Sequence, residues 1–215
     1  SWLMKFSHSP RLEIVDLGRT DYGKTTEMML ELVDAIAAGE KGDQLILAEF
    51  DSVLTVGRGA TNEAYEQVGI PVHEIARGGK VTYHGPGQLV IYPLIQLKEK
   101  ACDLHAYLHT LEEAMMAVVG DFGLEGMRDQ RNTGCWVNDH KVASIGVAVR
   151  KWVTYHGVAL NVNTDLRWFS RFDPCGLEPD VMTSMQQQLG SAVDIAQVKN
   201  SVVRHLQQLL TDDHR

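Results

Sequence analysis

Three stretches of the chain repeat apolar residues at helical spacing. Residues 24–38 place Met28, Met29, Leu32, Val33 and Ile36 on one stripe and run into Gly39, a residue type that ends helices readily. Residues 104–122 align Leu104, Tyr107, Leu108, Leu111, Met115, Val118 and Phe122, with Asp103 placed to cap the start and Gly123 the end. Residues 195–210 follow Asp194 with Ile195, Val198, Val202, Leu206 and Leu209. Between these stretches lie strand-like runs at Leu45–Phe50, Ser52–Val56, Val72–Ile75, Leu89–Leu97, Val142–Val149 and Val153–Val162. Only Arg150-Lys151-Trp152 separates the last two, which predicts a hairpin. Helices at the front, middle and back with locally paired strands predict an α+β fold, its mixed, largely antiparallel sheet flanked by helices. Regular strand–helix–strand alternation is missing, which argues against a doubly wound nucleotide-binding sheet.

Length and composition narrow this without changing it. The 215 residues suit a single domain spanning 1–215. With 44% apolar and 22% charged residues, the chain is neither disordered, collagen-like nor a coiled coil. No run approaches the ~18 apolar residues that span a bilayer, and SWLMKFSHSP lacks the basic-then-apolar order of a signal peptide. Cys102, Cys135 and Cys175 form no CxxC pair, so a reducing, cytoplasmic setting is expected rather than a disulfide framework.

Charge adds a constraint on partners. The formal net charge is −8, which disfavours non-specific binding to nucleic acid or anionic membrane. The imbalance is uneven: residues 1–66 carry twelve acids against six bases, while residues 67–175 carry eleven of each. Any acidic partner would have to meet a local basic patch, for which Arg58, Lys80, Arg150, Lys151, Arg167 and Arg171 are candidates.

Standard phosphate-loop, zinc-protease and serine-hydrolase motifs are absent, and the cysteines lack zinc-ligand spacing. Four segments remain as candidate chemistry. The first, Arg77-Gly78-Gly79-Lys80-Val81-Thr82-Tyr83-His84-Gly85-Pro86-Gly87-Gln88, crowds four glycines among polar side chains. It reads either as a surface turn or as a ligand loop with exposed backbone N–H groups. The second, Lys141-Val142-Ala143-Ser144-Ile145-Gly146, alternates so as to put Lys141, Ala143 and Ile145 on one strand face. A lysine at a strand's start is ordinarily a solvated edge residue. The third is His156, inside an apolar strand and followed by Gly157, where the ordinary role is structural. The fourth, Asp173-Pro174-Cys175-Gly176, puts a cysteine on a defined turn. That leaves two readings: a buried small hydrophobe, as expected for Cys102 and Cys135, or an exposed nucleophile.

Together RGGKVTYHGPGQ at 77–88, KVASIG at 141–146, HGVALNVN at 156–163 and DPCG at 173–176 resemble the lipoyl(octanoyl) transferases, in order, from about residue 54 to 190. The resemblance implies the α+β catalytic fold that this family shares with biotin and lipoate ligases. It implies octanoyl transfer from octanoyl-acyl carrier protein to a lysine of lipoyl domains, those of 2-oxoacid dehydrogenases and of glycine cleavage H protein. Cys175 would be the acyl-thioester nucleophile and Lys141 its proton-handling partner. Substrate-binding positions would be Arg77, Gly78, Gly79, Lys80, Val81, Thr82, Tyr83, His84, Ser144, Ile145, Gly146, Gly157, Val158 and Ala159. No cofactor, metal, nucleic acid or membrane is implied, and a monomer is expected. His84 competes with Lys141 for the base. The competing functions are an ATP-dependent lipoate or biotin ligase, a lipoyl amidotransferase, and a non-enzymatic module that binds a carrier or lipoyl domain.

Overall fold

The computed structural model describes residues 12–57, 69–75, 81–97, 103–172 and 177–210. Nine strands and four helices lie in them: β1 Glu13–Thr20, α1 Tyr22–Ala37, β2 Gln44–Phe50, β3 Val53–Val56, β4 Val72–Glu74, β5 Val81–His84, β6 Gln88–Leu94, α2 Leu104–Asp121, β7 Gly134–Val137, β8 His140–Arg150, β9 Val153–Asn161, α3 Met185–Leu189 and α4 Ile195–Leu210. They form a six-stranded sheet in the order β1-β2-β6-β9-β8-β7 and a three-stranded sheet in the order β4-β3-β5. Only β1–β2 and β3–β4 are parallel pairs. The α+β expectation of a mixed, largely antiparallel sheet holds.

The helices start where short acidic side chains can accept orphan amide protons. Asp21 accepts from Lys24, Asp103 from Ala106 and Asp194 from Ala196. Apolar stripes then decide which sheet face each helix covers. Leu111, Met115 and Val118 of α2 join Val198, Val202 and Leu206 of α4 against Leu47, Leu89, Val142 and Leu160. On the opposite face, Met29, Val33 and Ile36 of α1 cover Ile46, Ala48, Val90 and Tyr92. A third cluster, with Leu54, Val56, Val81 and Tyr83 of the small sheet, packs on Phe169, Phe172 and Met182. None of the described helices is long and apolar enough to cross a membrane.

Two local departures shape the site. On β7, Cys135 and Trp136 are consecutive, while their β8 partners Ala143 and Lys141 are two apart. Val142 is thus the extra residue of a β-bulge, which reverses the side-chain alternation beyond it. Cys135 and Ala143 point into the α2–α4 core, so the next pair, Trp136 and Lys141, points to the other side. The alternation expected from sequence, with Lys141 beside Ala143 and Ile145, is therefore wrong. So is the solvated edge: Lys141 is 1% exposed.

The second departure comes from Pro93, in the central strand β6. Proline has no N–H to give the ladder. Thr154 bridges the gap: its hydroxyl donates to the Pro93 carbonyl at 2.9 Å and accepts from the Ile95 amide at 3.0 Å. Beside it His156 turns to φ 58° and Gly157 to φ 154°. The His156 N–H points at Met29 Sδ, 3.5 Å away. A Cβ at Gly157 would collide with the Ile91 carbonyl oxygen, so only glycine fits.

Candidate active site

The small sheet lies across the α1 face of the large one, and a groove runs between them. It consists of two adjoining cavities that share Thr82, Ser144 and Ala159. One end is walled by Tyr22, Tyr92 and His156, the other by Phe169, Phe172 and Met182. Backbone pairing sets its floor, with Ser144 opposite Ala159 and Gly146 opposite Gly157.

Lys141 reaches this side because of the bulge. Its chain continues past Gly134, where a Cβ would stand 2.9 Å from Lys141 Cε and would also strike the Ala143 carbonyl. Glycine at 134 is what leaves the lysine its path. Beyond it, Nζ donates to Asn132 Oδ1 at 2.5 Å. The Asn132 carbonyl is itself held by the Trp136 indole N–H at 3.1 Å. Behind Gly134, the buried Glu112 accepts its amide at 3.1 Å and takes Arg128 Nε at 3.2 Å. At the other side of Lys141, its carbonyl accepts from the Thr183 N–H, and Lys141 forms a bridge with the groove-lining Met182.

His84 stands on the opposite wall, buried and nearly parallel to the Tyr22 ring with centroids 5.9 Å apart. Its Nδ1 is 2.7 Å from Gln88 Oε1. The Gln88 amide gives its protons to the Tyr83 carbonyl and Asn161 Oδ1. That leaves Oε1 as an acceptor, so His84 Nδ1 carries a proton. Asn161 in turn donates to the Thr183 carbonyl. A continuous buried series therefore links His84, Gln88, Asn161 and Thr183 to the Lys141 backbone.

The remaining expected positions divide clearly. Val81–His84 is a strand of the small sheet rather than part of a loop; the turn lies at 85–87, immediately after it. Thr82 and His84 line the groove, whereas Val81 and Tyr83 serve both the groove and the third core cluster. Burial pushes the Tyr83 phenol up, against the opposing effect of its hydrogen bond with Ser52. Ser144, Gly146, Gly157, Val158 and Ala159 line the groove, but the Ile145 side chain packs against the α2–α4 core. Arg77, Gly78, Gly79, Lys80 and the candidate nucleophile Cys175 lie outside the described residues, as does Cys102. Cys135 is the buried small hydrophobe expected, its thiol pushed up to about 12 by burial. Sequence reasoning missed Asn132, Gly134 and Glu112, which carry no motif, and did not single out Tyr22 or Tyr92.

Of the residues expected to form a basic patch, two lie well away from the groove. Arg150 and Lys151 sit at the far end of β8, roughly 30 Å from Lys141 at about 3.3 Å per residue, and both pair with Asp34. Arg167 is tied to Asp165, and Arg171 lies 4.4 Å over the Trp168 ring. Arg58 and Lys80 lie outside the described residues.

Comparison with known proteins agrees with this fold. Residues 21–207 match the model of the lipoyl protein ligase A/B catalytic domain. The octanoyltransferase of Syntrophotalea carbinolica is 47% identical over 93% of this chain and 94% of its own length. That of Geotalea uraniireducens is 44% identical over 89% of each. A lipoate-protein ligase A solved with ATP superimposes with a TM-score of 0.75 at 19% identity, covering 95% of this chain and 87% of its own. The biotin protein ligase of Aquifex aeolicus with biotin and ATP gives 0.60 at 14% identity, over 92% and 70%. These two likenesses concern the fold. The chain belongs to the lipoyl protein ligase A/B catalytic-domain family and is an acyltransferase.

Proposed function

We propose that the protein transfers an octanoyl group from octanoyl-acyl carrier protein to a lysine of a lipoyl domain, through a thioester on Cys175. The observation that carries this reading is Lys141: a buried ammonium-bearing side chain, turned by a bulge to the groove side, with Nζ on Asn132. Lysine is rarely buried without a task. The curated relatives above 40% identity are named for octanoyl transfer, which supports the same substrate. Cys175 follows the groove-lining Phe172 by three residues, and a tether of that length spans at most about 11 Å.

In the first half-reaction the Cys175 thiolate attacks the donor's thioester carbonyl. The new C–S bond forms, the carrier's C–S bond breaks, and the departing thiolate takes a proton from the Lys141 ammonium. In the second, the acceptor amine attacks the enzyme thioester, neutral Lys141 takes the amine's proton, and the Cys175 thiolate leaves. Free cysteine titrates near ~8.5, so a nearby ammonium promotes the attacking thiolate. The acceptor's ordinary pKa is ~10.4, so a local base assists the second step. Thioester exchange is nearly balanced and amide formation is downhill, so no nucleotide is consumed. The covalent intermediate lets one bulky partner leave before the other arrives. His84, with Nδ1 protonated and turned to Gln88, serves here as a wall of the acyl groove.

The test is intact mass after incubation with octanoyl-acyl carrier protein: an octanoyl adduct that is lost in Cys175→Ala, and that chases onto a lipoyl domain without ATP. A strict ATP requirement with no adduct would instead point to the ligase chemistry of the fold's other members. Full transfer by Cys175→Ala without ATP would leave neither scheme standing.

A further inference from the structure

We infer that Asn132 is the positioning residue that fixes Lys141 Nζ on the groove side of β8, with Gly134 and Glu112 holding the path open behind it. The inference rests on the reading of Lys141 as the proton-handling partner of Cys175.

Lysine ends in four flexible carbons, so burial alone does not fix Nζ. Three contacts among the described residues help define it. The Cα end is held through the bridge to Met182 and the Thr183 N–H. The Cε region passes over Gly134, where any larger residue would push on it. The Nζ end donates to Asn132 Oδ1. An ammonium has only protons to give, so the amide must present its oxygen.

Asn132 is itself immobilised. Its carbonyl receives the Trp136 indole N–H. The preceding Arg131 stacks 4.3 Å over the same indole and binds both Asp129 and Asp139. Asp139 belongs to the turn that joins β7 to β8, so the anchor of Asn132 and the strand bearing Lys141 are one unit. Glu112 fixes the amide of Gly134 from the α2 side.

The choice of an amide matters chemically. A carboxylate at this distance would favour the charged lysine and oppose its service as a base. An apolar side chain would leave an ammonium without this acceptor. A neutral oxygen holds position in either protonation state, because neutral Nζ still has two protons to donate.

Two variants separate holding from proton release. Asn132→Leu keeps the shape and removes this acceptor; Asn132→Asp keeps the oxygen and adds a charge. Each half-reaction is timed on its own, acyl-enzyme formation by intact mass and acyl transfer from the isolated acyl-enzyme to a lipoyl domain. Asn132→Leu should slow both by about tenfold to a hundredfold, the usual cost of a misplaced catalytic group. KM for the donor should stay within about threefold, because the groove walls are untouched. Asn132→Asp should recover most of the first half-reaction relative to Leu while the second stays at least about tenfold slow. The Lys141 Cε resonance of protein labelled with [13Cε]lysine should move in both variants. Near-parental rates for both half-reactions in Asn132→Leu, with folding confirmed by thermal melting, would overturn the inference; so would an unmoved Cε resonance. If the parent forms no adduct at Cys175, or Lys141→Met still transfers, the proposed chemistry fails instead, and the resonance alone then decides whether Asn132 holds the lysine.

Discussion

The groove depends on two interruptions of β-sheet regularity, and they are made in opposite ways. Near Lys141 a residue is added: Val142 bulges from β8 and turns the lysine to the groove side. Near His156 a donor is removed: Pro93 leaves a gap in the β6–β9 ladder, which Thr154 fills with its hydroxyl while His156 and Gly157 adopt positive φ. The first re-aims a side chain at little cost in hydrogen bonds. The second reshapes backbone, and its polar groups need a substitute partner. Sheets can thus be bent to function by insertion or by deletion, and the two should fail differently when mutated.

The largest expected effect is at the bulge. Lys141→Met should reduce acyl transfer by about 10²–10⁴, the usual worth of acid–base assistance, with little loss of thermal stability. Steady-state assays alongside thermal melting check both halves of that statement. Next comes Gly134→Ala, whose new methyl meets the Ala143 carbonyl and Lys141 Cε. Overpacking of this kind typically costs about 1–3 kcal/mol, and here it should also cut kcat, read by denaturant melts and kinetics together.

On the His156 side the penalties should appear in stability before activity. Gly157→Ala forces a Cβ against the Ile91 carbonyl at a φ that side chains rarely adopt. A loss of about 1–3 kcal/mol is expected. Thr154→Val should cost about 1–3 kcal/mol, since the Ile95 amide and Pro93 carbonyl lose a buried partner. Equal kcat losses in all four variants would erase the contrast between the two interruptions. The smallest effect belongs to the β8–β9 turn, where Lys151 and Trp152 both have positive φ. Lys151→Asn suits that backbone better and should raise stability by about 0.5–1 kcal/mol, because the exposed pair with Asp34 that it removes contributes little.

The same contrast explains what the sequence made legible. Long amphipathic helices and apolar strands announce themselves by period, and the Lys151-Trp152 hairpin was readable from its spacing. Gly157 was flagged because glycine in a strand signals close approach. The bulge was not, since Val142 is an ordinary strand residue and the register shift exists only relative to β7. That strand, four residues long, was itself missed. So was β1, a largely exposed edge strand whose polar sequence EIVDLGRT carries no clean alternation. Val81–His84 hid among glycines because a strand of a small second sheet has too few residues to establish a period. Asn132 could not be found by motif at all: its role comes from where the bulge sends the lysine.

The hydrogen-bonded series from His84 through Gln88 and Asn161 to Thr183 also has a bearing on how the molecule is made. Asn161 is 73 positions from Gln88, and Thr183 lies 22 further on. Closing such distant contacts costs chain entropy that local helices do not incur. α1 and α2 can form as soon as their own residues are available, whereas the groove between the sheets is complete only when residue 183 docks. During synthesis from the N-terminus, the groove between the sheets is therefore among the last features to appear.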